Sequence, residues 1–114
     1  MPTEPSIQNP GSAGVTQTSA VTGSPAFGQT TVTTAGTQVQ LTGSSYPATN
    51  GVTIYNAGTS TITVGGSGVN NTITGSGNGD ILPSGVARVY AVQNANQLYI
   101  NSSANGGYVS WSVS

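Results

Sequence analysis

Only three side chains in this sequence are charged at neutral pH, and chemistry would have to begin with them: Glu4, Asp80 and Arg88. Histidine, lysine and cysteine are absent. General acid–base catalysis needs a group that titrates near the working pH, and a nucleophilic hydroxyl needs a base beside it. The two carboxylates lie far apart in the sequence, so a glycosidase-type pair at fixed separation is not expected. We therefore predict that the chain is not an enzyme and takes no small-molecule substrate.

Metal and phosphate sites are equally poorly supported. Asp80 follows Gly77-Asn78-Gly79 and resembles half of a calcium loop, but calcium takes about six to eight oxygens, usually from several acids. We interpret Asp80 instead as a turn residue that caps its own backbone. The Gly65-Gly66-Ser67-Gly68 segment lacks the lysine or following helix of a phosphate-binding loop. No metal and no cofactor are predicted.

The low charge also limits the class of partner. Charged residues make up 3% of the chain, and the net charge is −1, whereas about a quarter of an average domain is charged. Nucleic-acid binding is not expected, because phosphate neutralisation requires lysine and arginine. Since charge repulsion does not keep copies apart, the composition favours assembly. A low-charge secreted domain that stays monomeric is the open alternative.

Targeting signals are not evident. The segment Met1-Pro2-Thr3-Glu4-Pro5 has neither the basic nor the apolar region of a signal peptide. No apolar run approaches the roughly 18 residues of a membrane span, so no membrane association is predicted. If the protein acts outside a cell, release during lysis by a virus is one route.

Residues 1–30 are predicted to form an extended N-terminal arm. Four of the six prolines fall within it and interrupt any regular ladder. It has few apolar residues. Ile7 and Phe27 are the candidate contact residues through which the arm would bind a neighbouring protein by strand addition. A disordered tail is the alternative.

Residues 31–114 are predicted to form one all-β domain, a small antiparallel sandwich with a jelly-roll-like or barrel-like topology. Apolar residues alternate with polar ones in short segments, which is typical of half-buried strands, and no helical period is seen. The segments are 39–41, 52–54, 62–64, 86–92, 98–100 and 109–113. Asn56-Ala57-Gly58 is predicted to form a tight hairpin turn with Gly58 in the left-handed conformation.

Aromatic residues supply the candidate contact surface. Trp111 alternates with Val109 and Val113, so it is predicted to lie in the core. The tyrosines in or beside strands are candidates to cement an interface, although ordinary surface tyrosines are the alternative; they are Tyr55, Tyr90, Tyr99 and Tyr108. Arg88 is expected to pair with Asp80, with a role as an interface anchor as the second option.

Three segments of the chain resemble head decoration (capsid cement) proteins of tailed bacteriophages. They are the strand–turn–strand segment from Gly51 to Val69, the turn Ile81-Leu82-Pro83-Ser84-Gly85, and the segment Asn96-Gln97-Leu98-Tyr99-Ile100-Asn101-Ser102-Ser103. The resemblance covers about residues 50–114 and carries no catalytic signature. Where such proteins commonly carry acids after the Leu-Pro turn, this chain has Val86-Ala87-Arg88, which allows a different contact surface.

The resemblance implies a structural virion protein on the outer capsid surface, expected as a homotrimer that bridges major capsid protein subunits and lays its arm over the shell. The candidate interface residues are then Ile7, Phe27, Tyr55, Arg88, Tyr90, Tyr99 and Tyr108. One alternative is a receptor- or carbohydrate-binding module of a phage fibre or tail. Another is a bacterial surface or pilus-like adhesive subunit, for which a signal peptide is expected.

Overall fold

The computed structural model of the protein describes residues 26–114. Within this range, eight strands and one short 3₁₀ helix make up the regular structure. The strands are β1 (Ala26–Val32), β2 (Val39–Gln40), β3 (Val52–Tyr55), β4 (Ile62–Gly65), β5 (Asp80–Leu82), β6 (Ala87–Tyr90), β7 (Tyr99–Ser102) and β8 (Gly107–Val113), and the 3₁₀ helix is Ala95–Gln97.

The strands form two four-stranded antiparallel sheets that pack face to face. Sheet A has the order β1-β8-β3-β6, and sheet B has the order β2-β7-β4-β5. The pairs β1–β8, β2–β7, β3–β6 and β4–β5 are nested, as in a long hairpin folded over into two layers. This is the strand arrangement of a jelly roll. The predicted all-β antiparallel sandwich is therefore confirmed.

The core lies between the sheets and is built from the inward residues of each alternating strand. Val109, Trp111 and Val113 of β8 are buried, as their alternation predicted. They face buried residues of sheet B such as Ile62 and Ile100. The Trp111 ring packs against Tyr46 with 5.5 Å between centroids. Because most of the core residues are valine, isoleucine and leucine, hydrophobic burial in this narrow layer is the main force that holds the sheets together.

The first described strand, β1, begins inside the segment that was predicted to form the arm, residues 1–30. Residues 26–30 belong to β1, which pairs with β8 along its whole length, from Ala26 opposite Val113 to Val32 opposite Gly107. Gly28 makes this possible, since a Cβ there would lie 2.9 Å from Cζ2 of Trp111. Residues 1–25, which include the candidate Ile7, lie outside the described residues.

The predicted hairpin at Asn56-Ala57-Gly58 is wrong. β3 lies in sheet A and β4 in sheet B, so the chain crosses between the layers here instead of turning back on itself. The crossing is organised by Asn56, which is fully buried. Its Nδ2 donates to the carbonyls of Ser60 (2.7 Å) and Leu82 (2.9 Å), and its Oδ1 accepts from the backbone N–H of Gly58 at 3.2 Å. The side chain thereby replaces the backbone bonds that a hairpin would have made.

Candidate interaction surface

The outer face of sheet B is covered by the chain itself. The connection between β4 and β5, residues 66–79, folds over this face, and its Val69 is only 3% exposed. Thr63 Oγ1 donates to the Asn70 carbonyl at 2.6 Å, and Asn101 Nδ2 donates to the Val69 carbonyl at 3.0 Å. Thr63 and Asn101 are consequently buried although they point away from the core.

Asparagine side chains hold this covering loop in place. The Asn70 backbone N–H donates to Asn78 Oδ1 at 2.8 Å, and Asn78 Nδ2 donates to the Gly68 carbonyl at 3.1 Å. Asn71 Nδ2 reaches the Ser102 carbonyl at 2.9 Å and ties the loop to β7. Because these amides satisfy backbone groups of the loop, the loop is a fixed part of the fold. Sheet B therefore offers less open surface than sheet A. The large apolar side chains exposed on this side of the described residues are Ile81 of β5, at 39%, and Ile73 of the loop.

Sheet A instead leaves its outer face open. We call this surface the A face; it consists of Phe27, Gln29, Thr31, Thr53, Tyr55, Ala87, Val89, Tyr108, Ser110 and Ser112. Across the sheet the pairing places Phe27 beside Ser112, Ser112 beside Thr53, and Thr53 beside Val89. The face spans all four strands, and none of its side chains is charged.

The A face carries exposed apolar side chains on both edge strands and on the inner strand β3, with serine and threonine hydroxyls between them. Phe27 on β1 is 72% exposed, Val89 on β6 is 64% exposed, and Tyr55 on β3 is 43% exposed. Large apolar groups exposed on one uncharged face are typical of an interaction site, because charged residues are depleted at the centres of protein interfaces. The A face is therefore the best candidate for contact with another protein.

The structure brings together three of the predicted interface residues and separates the others. Phe27, Tyr55 and Tyr108 share the A face. Tyr99 begins β7 in the other sheet and is half-buried. Arg88 and Tyr90 lie on β6 but turn inward, towards sheet B.

Arg88 and Tyr90 close one open side of the sandwich. Arg88 Nη1 lies 2.6 Å from Asp80 Oδ2 and 2.8 Å from the Ile81 carbonyl oxygen. The Tyr90 hydroxyl donates to the same Asp80 oxygen at 2.7 Å. These contacts join β6, the edge of sheet A, to β5, the edge of sheet B. The expected pairing of Arg88 with Asp80 is confirmed, and it serves the fold.

The interpretation of Asp80 as a self-capping turn residue is wrong, since Asp80 begins β5 and its carboxylate is bound across the sheets. Within residues 26–114, no three His, Cys, Asp or Glu side chains are grouped so that they could hold a metal ion. In the same range, no helix has the length and apolar character needed to cross a bilayer.

The electrostatics of the cluster give it a pH dependence. Partial burial alone would raise the pKa of Asp80, but hydrogen bonds from Tyr90 and Arg88, together with the charge of Arg88, hold that pKa below its ordinary value of 3.8. Burial and the hydrogen bond to Asp80 raise the pKa of Tyr90. The cluster is therefore intact at neutral pH, with Asp80 ionised and Tyr90 protonated.

We expect acid to weaken the fold partly through Asp80. A carboxyl group with a lowered pKa in the folded state stabilises the fold above its ordinary pKa, and that contribution is lost as the pH falls through the lowered value. The urea midpoint of the wild type should therefore decline between about pH 5 and pH 2, and the decline should be smaller in an Asp80→Asn variant. The difference should be small because the pair is largely exposed. Parallel pH profiles for the two proteins would contradict this account.

Sequence reasoning missed part of this surface. Val89 lies on the opposite side of β6 from Arg88 and is not among the predicted contact residues. Ser110 and Ser112 were seen only as the polar half of an alternating strand. The available signal was the composition of those polar positions, which are serine and threonine where lysine and glutamate usually stand. Tyr46 was also overlooked, although it packs against Trp111.

Comparisons with known proteins add no further identification: no family model matches the chain, and no curated protein or solved structure matches it either.

Proposed function

We propose that this chain is a structural virion protein, a decoration protein that binds the outer surface of a phage head and stabilises contacts between major capsid protein subunits. The observation that carries the proposal is the contrast between the two sheets. Much of the outer face of sheet B is covered by the chain's own loop, whereas the A face is open, is uncharged and carries three of the exposed large apolar side chains. Docking through the A face fits a protein whose task is contact rather than chemistry.

The chemistry of the A face suits a neutral protein surface. A contact made by Phe27, Val89 and Tyr55 around serine and threonine hydroxyls depends on apolar burial and hydrogen bonding. Such a contact is screened little by salt, because it contains no exposed ion pairs. A shell protein that must hold under varying ionic conditions benefits from this property.

Because many copies would bind one shell, each copy can bind weakly and the shell is still stabilised. Each copy of a small module on a particle binds through a limited area, but a shell offers many equivalent sites, and contact with two neighbouring subunits at once raises the effective affinity. The jelly-roll architecture supports the proposal only as an analogy, since this arrangement occurs in both viral capsid proteins and lectins.

The lectin analogy supplies the second candidate, a receptor- or carbohydrate-binding module of a phage fibre or tail. Tyr55 favours it, because an exposed aromatic ring beside hydroxyl and amide side chains can stack on a sugar. The open face is broad and lies on a sheet, however, whereas small-ligand sites are usually concave. Protein contact therefore remains the first proposal.

Counting copies in particles of the virus that encodes the chain separates these functions. We expect quantitative mass spectrometry of separated heads and tails to find the protein on heads, at about one copy or more for every few major capsid protein subunits. Heads that lack it should lose their contents at a lower temperature than complete heads. A few copies found only on tails, with binding of the purified protein to host glycans, would contradict decoration and favour the second candidate.

A further inference from the structure

The edge strands of the sandwich are unequal. β1 and β6 are the edges of sheet A, and β2 and β5 are the edges of sheet B. β2 has 2 residues, β5 has 3 and β6 has 4, whereas β1 has 7. A long edge strand offers a row of backbone N–H and C=O groups to any strand that can align with it.

Protection of the edges is also unequal. The β5 and β6 edges carry Asp80 and Arg88, an inward-pointing ion pair that bridges them and discourages further pairing. β1 has the sequence Ala-Phe-Gly-Gln-Thr-Thr-Val, with neither charge nor proline. One side of β1 pairs with β8 at every position, and no strand of residues 26–114 pairs with its other side.

We propose that β1 pairs with β1 of a second copy of this chain, antiparallel and about a two-fold axis, so that two A sheets join into one eight-stranded sheet. This inference goes beyond decoration of a shell and does not depend on it. A two-fold pair is also a different assembly from the homotrimer that the sequence resemblance implies.

A second copy of the chain fits this edge in both length and charge. A strand paired with itself matches in length, so all seven positions find a partner when the axis passes through Gln29, the middle residue. Phe27 then lies opposite Thr31 of the second copy, and the two glutamines face each other. No like charges are opposed, which would otherwise destabilise the pair. Symmetric pairing of identical surfaces is the commonest way in which soluble chains associate.

The pairing preserves the rest of the molecule. An axis perpendicular to the sheet places both A faces on the same side, so Phe27, Val89 and Tyr55 of each copy remain available for a common partner. A single seven-residue edge buries less than the roughly 1,200 Å² typical of stable complexes. The free pair is therefore weak, and it strengthens when a shell concentrates the copies.

The natural absence of cysteine permits a direct test by disulfide trapping on the purified full chain without heads. In the proposed register, the Cα atoms of the two Gln29 residues lie about 4.5–5.5 Å apart, which is within the range that a disulfide can bridge. A Gln29→Cys variant should form a covalent dimer under mild oxidation. A Thr31→Cys variant is the matched control, because residue 31 of one copy lies roughly 14 Å from residue 31 of the other, four residues along the strand.

The register is tested further by mixing two variants. An equimolar mixture of Phe27→Cys and Thr31→Cys should give a mixed disulfide dimer in excess of either homodimer. At least tenfold faster dimer formation by Gln29→Cys than by Thr31→Cys supports the pairing. Equal rates in the two variants, or faster linkage through residue 31, would overturn it. Because heads are not used, this result is independent of the outcome for decoration.

Discussion

Replacement of Asn56 by aspartate is expected to lower the free energy of unfolding by about 3–5 kcal/mol. The side chain is fully buried, and its Nδ2 donates to two carbonyl oxygens, those of Ser60 and Leu82. A carboxylate has the same shape but donates nothing, and its charge would face both carbonyl oxygens. Since small domains are stable by only about 5–15 kcal/mol, this loss should be plain in a urea titration.

The pH dependence of the Asn56→Asp variant distinguishes this mechanism from a packing defect. Burial without a counter-ion raises the pKa of a carboxyl group. The difference in free energy of unfolding between the wild type and the variant should therefore become smaller as the pH falls and the carboxyl group is protonated. The matched control is Asn105→Asp. Asn105 is exposed, and its Oδ1 accepts from the Ala35 backbone N–H at 2.8 Å, a role that a carboxylate retains. A control loss above about 1 kcal/mol, or equal losses in the two variants, would contradict the account.

The alternation of apolar and polar residues was enough to predict the sandwich. Val52 and Ile54, Ile62 and Val64, and the valines beside Trp111 lie in strands and point into the core. This worked because each strand has one face in the core, which imposes a period of two on its residues. The same alternation does not say which strands are neighbours, and the nested pairing of the jelly roll came only from the structure.

Two strands were not predicted because their local sequences are weak. β1 contains glycine, glutamine and two threonines and has little apolar character of its own. It forms because β8 provides a partner at every position and because Gly28 leaves room for the Trp111 ring. β5 is only three residues long and begins with the acid that Arg88 binds. In both strands the tertiary environment outweighs local propensity.

The candidate surface was predicted only in part for a related reason. Outward-pointing tyrosines were recognised from alternation, and Tyr55 and Tyr108 do lie on the A face. Whether an outer face is open depends on what folds across it, however. The loop over sheet B is held by the long-range contacts of Asn71 and Asn101, and nothing in the local sequence around β4 indicated that its outer face would be covered.

A charge placed on the A face is expected to weaken head binding strongly. Val89 is 64% exposed on this face, so a Val89→Glu substitution should leave the free protein folded, as most surface substitutions do. Since the A face is neutral, we expect the shell surface that fits it to be neutral as well, so in a complex the carboxylate would lose water without gaining an opposite charge. Such an unpaired charge at an interface is strongly unfavourable. The affinity should fall at least tenfold, which corresponds to about 1.4 kcal/mol.

Ile73 provides the matched comparison, because it is 55% exposed but lies in the loop that covers sheet B. The decisive measurement is the binding of Val89→Glu and Ile73→Glu proteins to heads assembled without this chain, read as bound copies per head over a range of protein concentrations. We expect the Ile73→Glu protein to saturate heads like the wild type and the Val89→Glu protein to require at least tenfold more protein. Equal binding by both variants, or loss of binding only in the Ile73→Glu protein, would show that the open face of sheet A is not the surface that meets the shell.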